Sequence, residues 1–510
     1  MPTQSSNKQI AKNTLFLYMR MLVSIFVNLY TVRVLWNVLG VDNYGIYNVV
    51  GGIVMMFAFL NSAMVASSQR FISYELGGGN REKLHKTFSI SLTIHFLLAI
   101  CILVLAETVG LWFLNEKMNI PEGRMTAANW VYQCSVATFI LTVISVPYNA
   151  CIVAHEHMKV YGYFGILEVI LKLVIVLIVA LLPFDNLIVY AILVMCVAIT
   201  MRLIYGIYCT RHFEECHFHK FKDKYLMKDM FSFAGWSFLG NMGFAVRDQG
   251  INIILNLFFG VAVNAAKGIA SQVGGVINGF ANSFTMAVNP QITKRFAAGE
   301  IESMINLMMT GCKYSLLLMG MLVVPVIFCA ETLLKLWIGD VAPYTVGFLQ
   351  LTLLIALIDC VVSPITTSIQ ATGKIKIFQI IISVIMIFNL PLAWLGLKIE
   401  LNPYLVMVVS IFTSSIALAS RLRILHGLIL FSFRRFLVTV YLRSLPVIIL
   451  SSMVAYYMYN ICAHNLGGML IYAAFIVGTY IILIIFLGLT KRERRKVGEV
   501  ISHRIRKIRY

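Results

Sequence analysis

Thirteen charged side chains interrupt the long apolar runs of this 510-residue sequence, in the setting where charge is hardest to place. Nine are basic: Arg20, Arg33, Arg70, Lys172, Arg202, Arg247, Lys267, Lys313 and Arg443. Four are acidic: Glu107, Glu168, Asp248 and Asp359. A cation at the centre of a bilayer costs about 2.5–3.5 kcal/mol on insertion scales, so each needs a partner, a route to the interface or a ligand. The surplus is basic, which suits an anionic cargo better than a cationic drug.

Position along the helices sorts these charges. Arg70, Arg202 and Arg443 lie within about two turns of a helix end and can snorkel to the interface, and Lys313 is similar but deeper. Arg33 and Lys267 approach the opposite face. Glu168 and Lys172 are four residues apart, on one helical face, and can pair with each other. Asp248 follows Arg247 directly, so the two side chains diverge by about 100° and are expected to pair poorly. Arg20, Lys172 and Arg247 are the hardest charges to excuse, with Arg20 about 12 Å along its helix. Asp359 and Asp248 are the candidates for carrying a coupling proton or sodium ion.

Amides gather in the same segments. Asn48 and Asn61 fall in one span, Asn241 in another, and Asn278 and Asn282 in a third, each with further Ser, Asn and Gln neighbours. Helices this polar make poor neighbours for lipid, so these amides are expected to line a cavity. Pro147, Pro290 and Pro364 are candidate kinks or hinges.

The elements that must position these groups are transmembrane helices. The sequence is 60% hydrophobic and only 12% charged, and runs of 18 or more apolar residues recur throughout. The runs are continuous rather than alternating, which favours helices over a barrel. Fourteen spans are predicted: 12–36, 45–74, 87–113, 126–154, 162–182, 187–210, 229–258, 266–293, 304–330, 343–371, 377–397, 403–420, 437–461 and 467–489. With the N-terminus placed inside, the inside segments hold 28 of the 41 Lys and Arg residues, whereas the outside loops hold Lys117, Arg124, Lys335 and Lys398. That alternation obeys the positive-inside rule. It assigns the formal charge of +19 to topology rather than to nucleic-acid binding, and predicts that both termini are cytoplasmic. The tail after Thr490 reads as a basic helix lying on anionic lipid. No secretory signal is apparent before the first span.

The longest inside loop divides the chain. The predicted organisation is a six-helix bundle over 1–210, a cytoplasmic linker over 211–228, a second six-helix bundle over 229–425, two more helices over 426–489 and a basic tail over 490–510. Weak internal symmetry supports it. Leu39-Gly40-Val41 in one half matches Phe259-Gly260-Val261 in the other, and Gln69-Arg70-Phe71 matches Lys294-Arg295-Phe296. Repeats of this kind mark transporters that move two halves about a central site.

An opening span with an internal Arg, followed by Leu39-Gly40-Val41-Asp42-Asn43-Tyr44-Gly45-Ile46-Tyr47, resembles the bacterial polysaccharide-biosynthesis membrane proteins. These are the oligosaccharide-lipid flippases of the multidrug/oligosaccharidyl-lipid/polysaccharide exporter superfamily. The resemblance covers roughly residues 10 to 430. It implies an all-α fold of two pseudo-symmetric six-helix bundles around a central cavity, here with two added C-terminal helices. It implies a polyprenyl-diphosphate-linked oligosaccharide, an O-antigen or capsule unit, moved from the cytoplasmic to the periplasmic leaflet of the inner membrane. Glycosyltransferases and a glycan polymerase would be partners, with membrane lipids but no nucleic acid. Arg20, Arg247, Arg33, Lys267 and Lys172 would then be the cavity cations. A guanidinium can grip diphosphate oxygens in bidentate fashion, which a lysine cannot. A lipid II flippase and a multidrug/cation antiporter share the topology and remain alternatives.

An enzyme fits less well, because the outside loops are short and no HExxH, GxSxG or P-loop pattern occurs. No catalytic residue and no cofactor are expected beyond a coupling H+ or Na+. His212, Cys216, His217 and His219 in "HFEECHFH" have no standard zinc spacing. That stretch therefore reads as a solvated loop, with no metal. The ten cysteines form no CxxC and read as small apolar residues.

Overall fold

The computed structural model describes residues 3–495 apart from 56–57, 119, 121–122, 220, 222, 339–340, 463–465 and 492. Among the described residues there are seventeen α-helices and no strand. In order they are α1 (Thr3–Met55), α2 (Ala58–Gly78), α3 (Arg81–Leu105), α4 (Leu111–Lys117), α5 (Met125–Ala154), α6 (Met158–Val179), α7 (Asn186–His212) and α8 (Lys224–Ala297). There follow α9 (Ile301–Phe328), α10 (Ala330–Ile338), α11 (Thr345–Asp359), α12 (Val362–Ala371), α13 (Lys376–Ile399), α14 (Leu405–Ile429), α15 (Phe433–Phe436), α16 (Leu442–Cys462) and α17 (Leu466–Leu483). Eleven segments are long and apolar enough to cross a membrane. They coincide with eleven of the fourteen predicted spans. The other three, 45–74, 229–258 and 266–293, are helical in their described residues but carry the amide-rich faces that lower their hydropathy.

Side-chain caps set several helix starts. Asn80 accepts from Lys83 N before α3, Asp185 from Leu187 N and Ile188 N before α7, and Asp223 from Leu226 N before α8. Each satisfies backbone N–H groups that have no partner within the helix. Asp185 is also held by Arg124 at 2.5 Å, and Arg124 donates to Asn43 Oδ1 at 2.6 Å. The start of α5, the start of α7 and the joint inside α1 are thereby fastened together. Pro364 marks a local kink in the 345–371 span, because it cannot return an N–H to Cys360 O. The kink falls at Cys360–Val361, and Pro364 sits in the first turn of α12, where its missing N–H is tolerated.

Two single glycines make the sharpest bends. Helix α1 is broken only at Gly40 (φ 73°, ψ 172°) and α8 only at Gly260 (φ 79°, ψ −169°). Across the second break, Lys267 Nζ donates to Asn252 Oδ1 at 2.9 Å. Fifteen residues of straight helix would separate the two by about 22 Å, so the arms of α8 fold back on each other. Gly40 has nearly the same dihedrals, as the Leu-Gly-Val and Phe-Gly-Val match anticipated. Gly45, five residues on in the same motif, is ordinary helix. This backbone region is essentially restricted to glycine, although a Cβ at either position would meet nothing within 4 Å. Gly40→Ala and Gly260→Ala are therefore expected to cost about 1–3 kcal/mol each through backbone strain alone. Thermal unfolding midpoints in detergent check this against Gly78→Ala, a helical glycine with equally open surroundings.

By mutual contact the chain forms two compact units, Met1–Met242 with Met286–Glu300, and Gly243–Thr285 with Ile301–Tyr510. In the first, the core gathers apolar residues of α1, α2, α3, α5, α6 and α7, with Tyr132 and Phe88 fully buried. In the second, α16 and α17 pack on α9, where the Tyr472 hydroxyl donates to Pro325 O at 3.3 Å and Tyr480 sits against Gly320. The tail docks here as well. Thr490 and Glu493 form a reciprocal capping box, and both Glu493 oxygens accept from Lys313 Nζ at 2.7 Å. Lys313 is 1% exposed, so it does not snorkel as its sequence position suggested. A carboxylate from the tail reaches in to it instead. The basic stretch beyond residue 495, expected to lie on lipid, is outside the described residues.

Candidate functional site

The densest group of buried charge lies in the second unit. Arg247 and Asp248 come from the first arm of α8, Asp359 ends α11, and Arg421 lies in α14. Arg247 is 8% exposed and Arg421 2%. Arg247 Nε donates to Asp248 Oδ1 at 2.9 Å, while its Nη1 lies 3.4 Å from both Ser414 Oγ and Met386 Sδ. The expectation that Arg247 and Asp248 pair poorly is corrected. The long guanidinium arm folds back along its own helix and spans the angular gap between neighbouring positions. Both guanidinium carbons approach the Phe244 ring, at 5.4 Å and 5.8 Å from its centroid. Asp359 is hydrogen-bonded to Ser414 and lies within electrostatic reach of both arginines.

Two buried arginines thus gather with a partly buried Asp359 and an exposed Asp248 around an aromatic ring. Hydrogen bonding does not complete the group, because Arg421 Nε is buried and has no hydrogen-bond partner among the described residues. Sequence reasoning missed Arg421 altogether. Lying one residue past the predicted end of its span, it was counted among the cytoplasmic charges that set topology. The available signal was its place in an uninterrupted helical pattern running from Leu405 to Ile429.

Lys267, on the second arm of α8, is held by Asn252 and lies within electrostatic reach of Asp248. Asn278 is partly buried and Asn282 exposed on the same arm.

In the first unit, the Arg20 guanidinium stands 4.4 Å from the centroid of the Tyr161 ring. It fills the space left by Gly165 on α6, where a Cβ would collide with it. Tyr205 and Glu168 lie within its electrostatic reach. Glu168 accepts from Lys172 Nζ at 2.6 Å, the i,i+4 pair read from the spacing. Arg20, Glu168 and Lys172 thus form one α1–α6 group, whereas Arg33 is exposed on α1. Asn241 donates to Ser62 Oγ at 3.0 Å. Asn61 is partly buried, and its Oδ1 has no hydrogen-bond partner among the described residues. The side chain of Asn48 lies outside the described residues. Arg70 and Arg202 lean on aromatic rings, Arg202 over Tyr148 at 4.2 Å.

The linker departs most from expectation. Glu215 and Cys216, read as part of a solvated loop, are 7% and 2% exposed. Residues Glu214–Cys216 form a single helical turn packed against α3. Glu215 accepts a 2.5 Å hydrogen bond from His155 Nε2. Burial is the largest influence and raises the pKa of this carboxyl, but the His155 bond, a backbone N–H and the nearby His155 and His85 rings together leave the group below its usual range.

At the opposite end of this unit, hydrogen bonding from Arg124 depresses the Asp185 carboxyl, assisted by the N–H groups of Ile188 and Leu187. A depressed carboxyl contributes stability above its unfolded pKa of about 3.9 and loses it as pH falls through the lower folded value. Arg124→Gln is therefore expected to cost about 1 kcal/mol at pH 7. Its deficit relative to wild type should close as the pH is lowered from 5 toward 2, which paired thermal melts would check.

A fold helical throughout the described residues, with eleven segments long and apolar enough to cross a membrane, is that of a multi-pass membrane protein. Comparison with known proteins agrees. The family described as "Polysaccharide biosynthesis protein" matches residues 10–296, and the chain belongs to it. The MatE family matches residues 237–395, and both matches place the chain in the MOP superfamily of transporters. Among solved structures, a point mutant of a MATE protein is similar at TM-score 0.72 and 12% identity, covering 83% of this chain and 97% of that one. An outward-facing multidrug resistance MATE family transporter of the MOP superfamily has TM-score 0.70 and 13% identity, covering 83% and 96%. A MOP superfamily transporter from Pyrococcus furiosus, described as having a binding pocket of reverse polarity, has TM-score 0.67 and 12% identity, covering 82% and 95%. No curated protein matches the chain.

Proposed function

We propose that this transporter is a flippase for a polyprenyl-diphosphate-linked oligosaccharide, an O-antigen or capsule repeat unit, acting by alternating access in the bacterial inner membrane with both termini cytoplasmic. The observation that carries the reading is the pair of buried arginines, Arg247 and Arg421, in a chain whose family is one of polysaccharide biosynthesis. Guanidinium groups kept from water are strong bidentate partners for phosphate oxygens. Arg20, Arg33, Lys267 and Lys172 supply further cations, and Asn48, Asn61, Asn241, Asn278 and Asn282 supply groups suited to sugar hydroxyls. Arriving diphosphate would compete with Asp359 and Asp248 for Arg247. A carboxylate released in this way can take up H+ or Na+, which couples cargo to ion. The protein acts as a carrier rather than an enzyme, downstream of glycosyltransferases and upstream of a glycan polymerase.

A multidrug antiporter is the second reading, favoured by the MatE match over residues 237–395. Gene deletion separates the readings. The flippase reading expects lipid-linked repeat units to accumulate and the surface glycan to be lost, with rescue by wild type but not by Arg20→Ala/Arg247→Ala. Drug hypersensitivity with a normal surface glycan would support the antiporter, and growth arrest with accumulated lipid II would support a lipid II flippase.

A further inference from the structure

Three elements of the first unit converge at the ends of α5 and α7. Cys151 lies near the C-terminus of α5, Cys209 in the last turn of α7, and Glu215 and Cys216 in the helical turn of the linker. All four are buried, Cys151 and Cys209 completely. The ligand atoms of Cys151, Glu215 and Cys216 lie within 4.8 Å of one another. Cys151 and Cys209 both lie within electrostatic reach of the Cys216 thiol. For tetrahedral zinc with metal–sulfur bonds of about 2.3 Å, neighbouring sulfurs stand about 3.8 Å apart. Cys151, Glu215 and Cys216 therefore need only a small contraction to close on an ion, with Cys209 beside Cys216 as the fourth donor.

We infer that Cys151, Cys209, Cys216 and Glu215 form a binding site for a soft divalent cation, Zn(II) or a close analogue, that fastens the linker to α5 and α7.

Buried cysteines alone would be ordinary apolar packing. Glu215 makes the difference, because it sets a carboxylate oxygen within 4.8 Å of two thiols, a mixed donor set suited to a metal ion. His155 Nε2 bonds to Glu215 Oε1 and is itself stacked on Phe213, with ring centroids 4.2 Å apart. This is the outer-shell support that orients a ligating carboxylate. Thiolates with one carboxylate favour zinc over magnesium or calcium, whose ligands are all oxygen. An entry path exists as well. His155 and Glu215 line a pocket of about 680 Å³, together with His85, His157 and His212.

The test uses the full chain purified in detergent and stripped with chelator, with Cd(II) and Zn(II) as probes. Wild type is expected to develop a cadmium–thiolate charge-transfer band that saturates at one equivalent and is displaced by Zn(II). Cys216→Ser should abolish the band, Cys101→Ser should leave it unchanged, and His155→Ala should weaken binding about tenfold or more. If Cys216→Ser fails to fold, alkylation of wild type decides the matter. Zn(II) is expected to protect Cys151 and Cys216 in mapped peptides. Equal labelling with and without Zn(II), a band surviving Cys216→Ser, or a native disulfide among these cysteines would overturn the assignment.

Discussion

Arg421→Met is expected to stop transport and to alter the stability of the second unit. Arg421 is almost wholly buried and lies within electrostatic reach of Asp359. Removing Arg421 leaves Asp359 with Arg247 as its remaining basic neighbour, so the carboxylate loses part of its electrostatic compensation. The double variant Arg421→Met/Asp359→Asn removes both charges and should return the stability toward the wild-type value. The two substitutions should therefore be non-additive by more than about 1 kcal/mol, as expected for residues sharing one network. Arg247→Met, opposite Asp248, provides the contrast. If Arg247 grips cargo, its variant loses transport even where the neutralising partner Asp248→Asn restores the melting temperature. Melting temperature and transport, measured on the same set of proteins, separate the structural role from the binding role.

Glu156→Gln is expected to loosen the end of α8 and expose it. Glu156 is 6% exposed and holds a φ of 62°, unusual for a residue other than glycine. Its carboxylate accepts from Lys294 Nζ and Gln291 Nε2, each at 2.6 Å, and its carbonyl accepts from Asn13 Nδ2 at 3.3 Å. Such strained backbone persists where the surroundings over-determine it and gathers at switches. The proposed alternating access would need some contact of this kind to break in every cycle. A cysteine at Thr293, 4% exposed in the native chain, should react slowly with maleimide and at least tenfold faster when Glu156→Gln is added. Unchanged labelling would show that the pair is not a latch.

The sequence disclosed those features that depend on local pattern. Continuous apolar runs and the Lys/Arg alternation located the helices. The two Gly-Val joints announced a shared backbone break that the dihedrals of Gly40 and Gly260 now display. Glu168–Lys172 was legible because helical periodicity alone fixes that pair. Long-range groupings were not legible. Nothing in the chain's spacing joins Lys313 to Glu493, or Cys151 to Cys216, because packing between distant helices brings them together. Arg421 illustrates a subtler failure, since a charge near a span's end reads as topology until its helix is seen to continue. Arg247 and Asp248 show the opposite error, in which a rigid angular argument overlooked the reach of an arginine side chain.

Reconstituted transport tests the central claim most directly. The purified chain is placed in liposomes carrying a polyprenyl-diphosphate-linked oligosaccharide with a fluorescent sugar. A membrane-impermeant quencher then reports the fraction of label in each leaflet. The flippase reading predicts that wild type renders inner-leaflet label quenchable within the assay, that Arg247→Met and Arg421→Met do not, and that an undecorated polyprenol with the same fluorophore is not moved. Wild-type vesicles indistinguishable from protein-free ones, or equal movement of the lipid lacking its diphosphate, would contradict it.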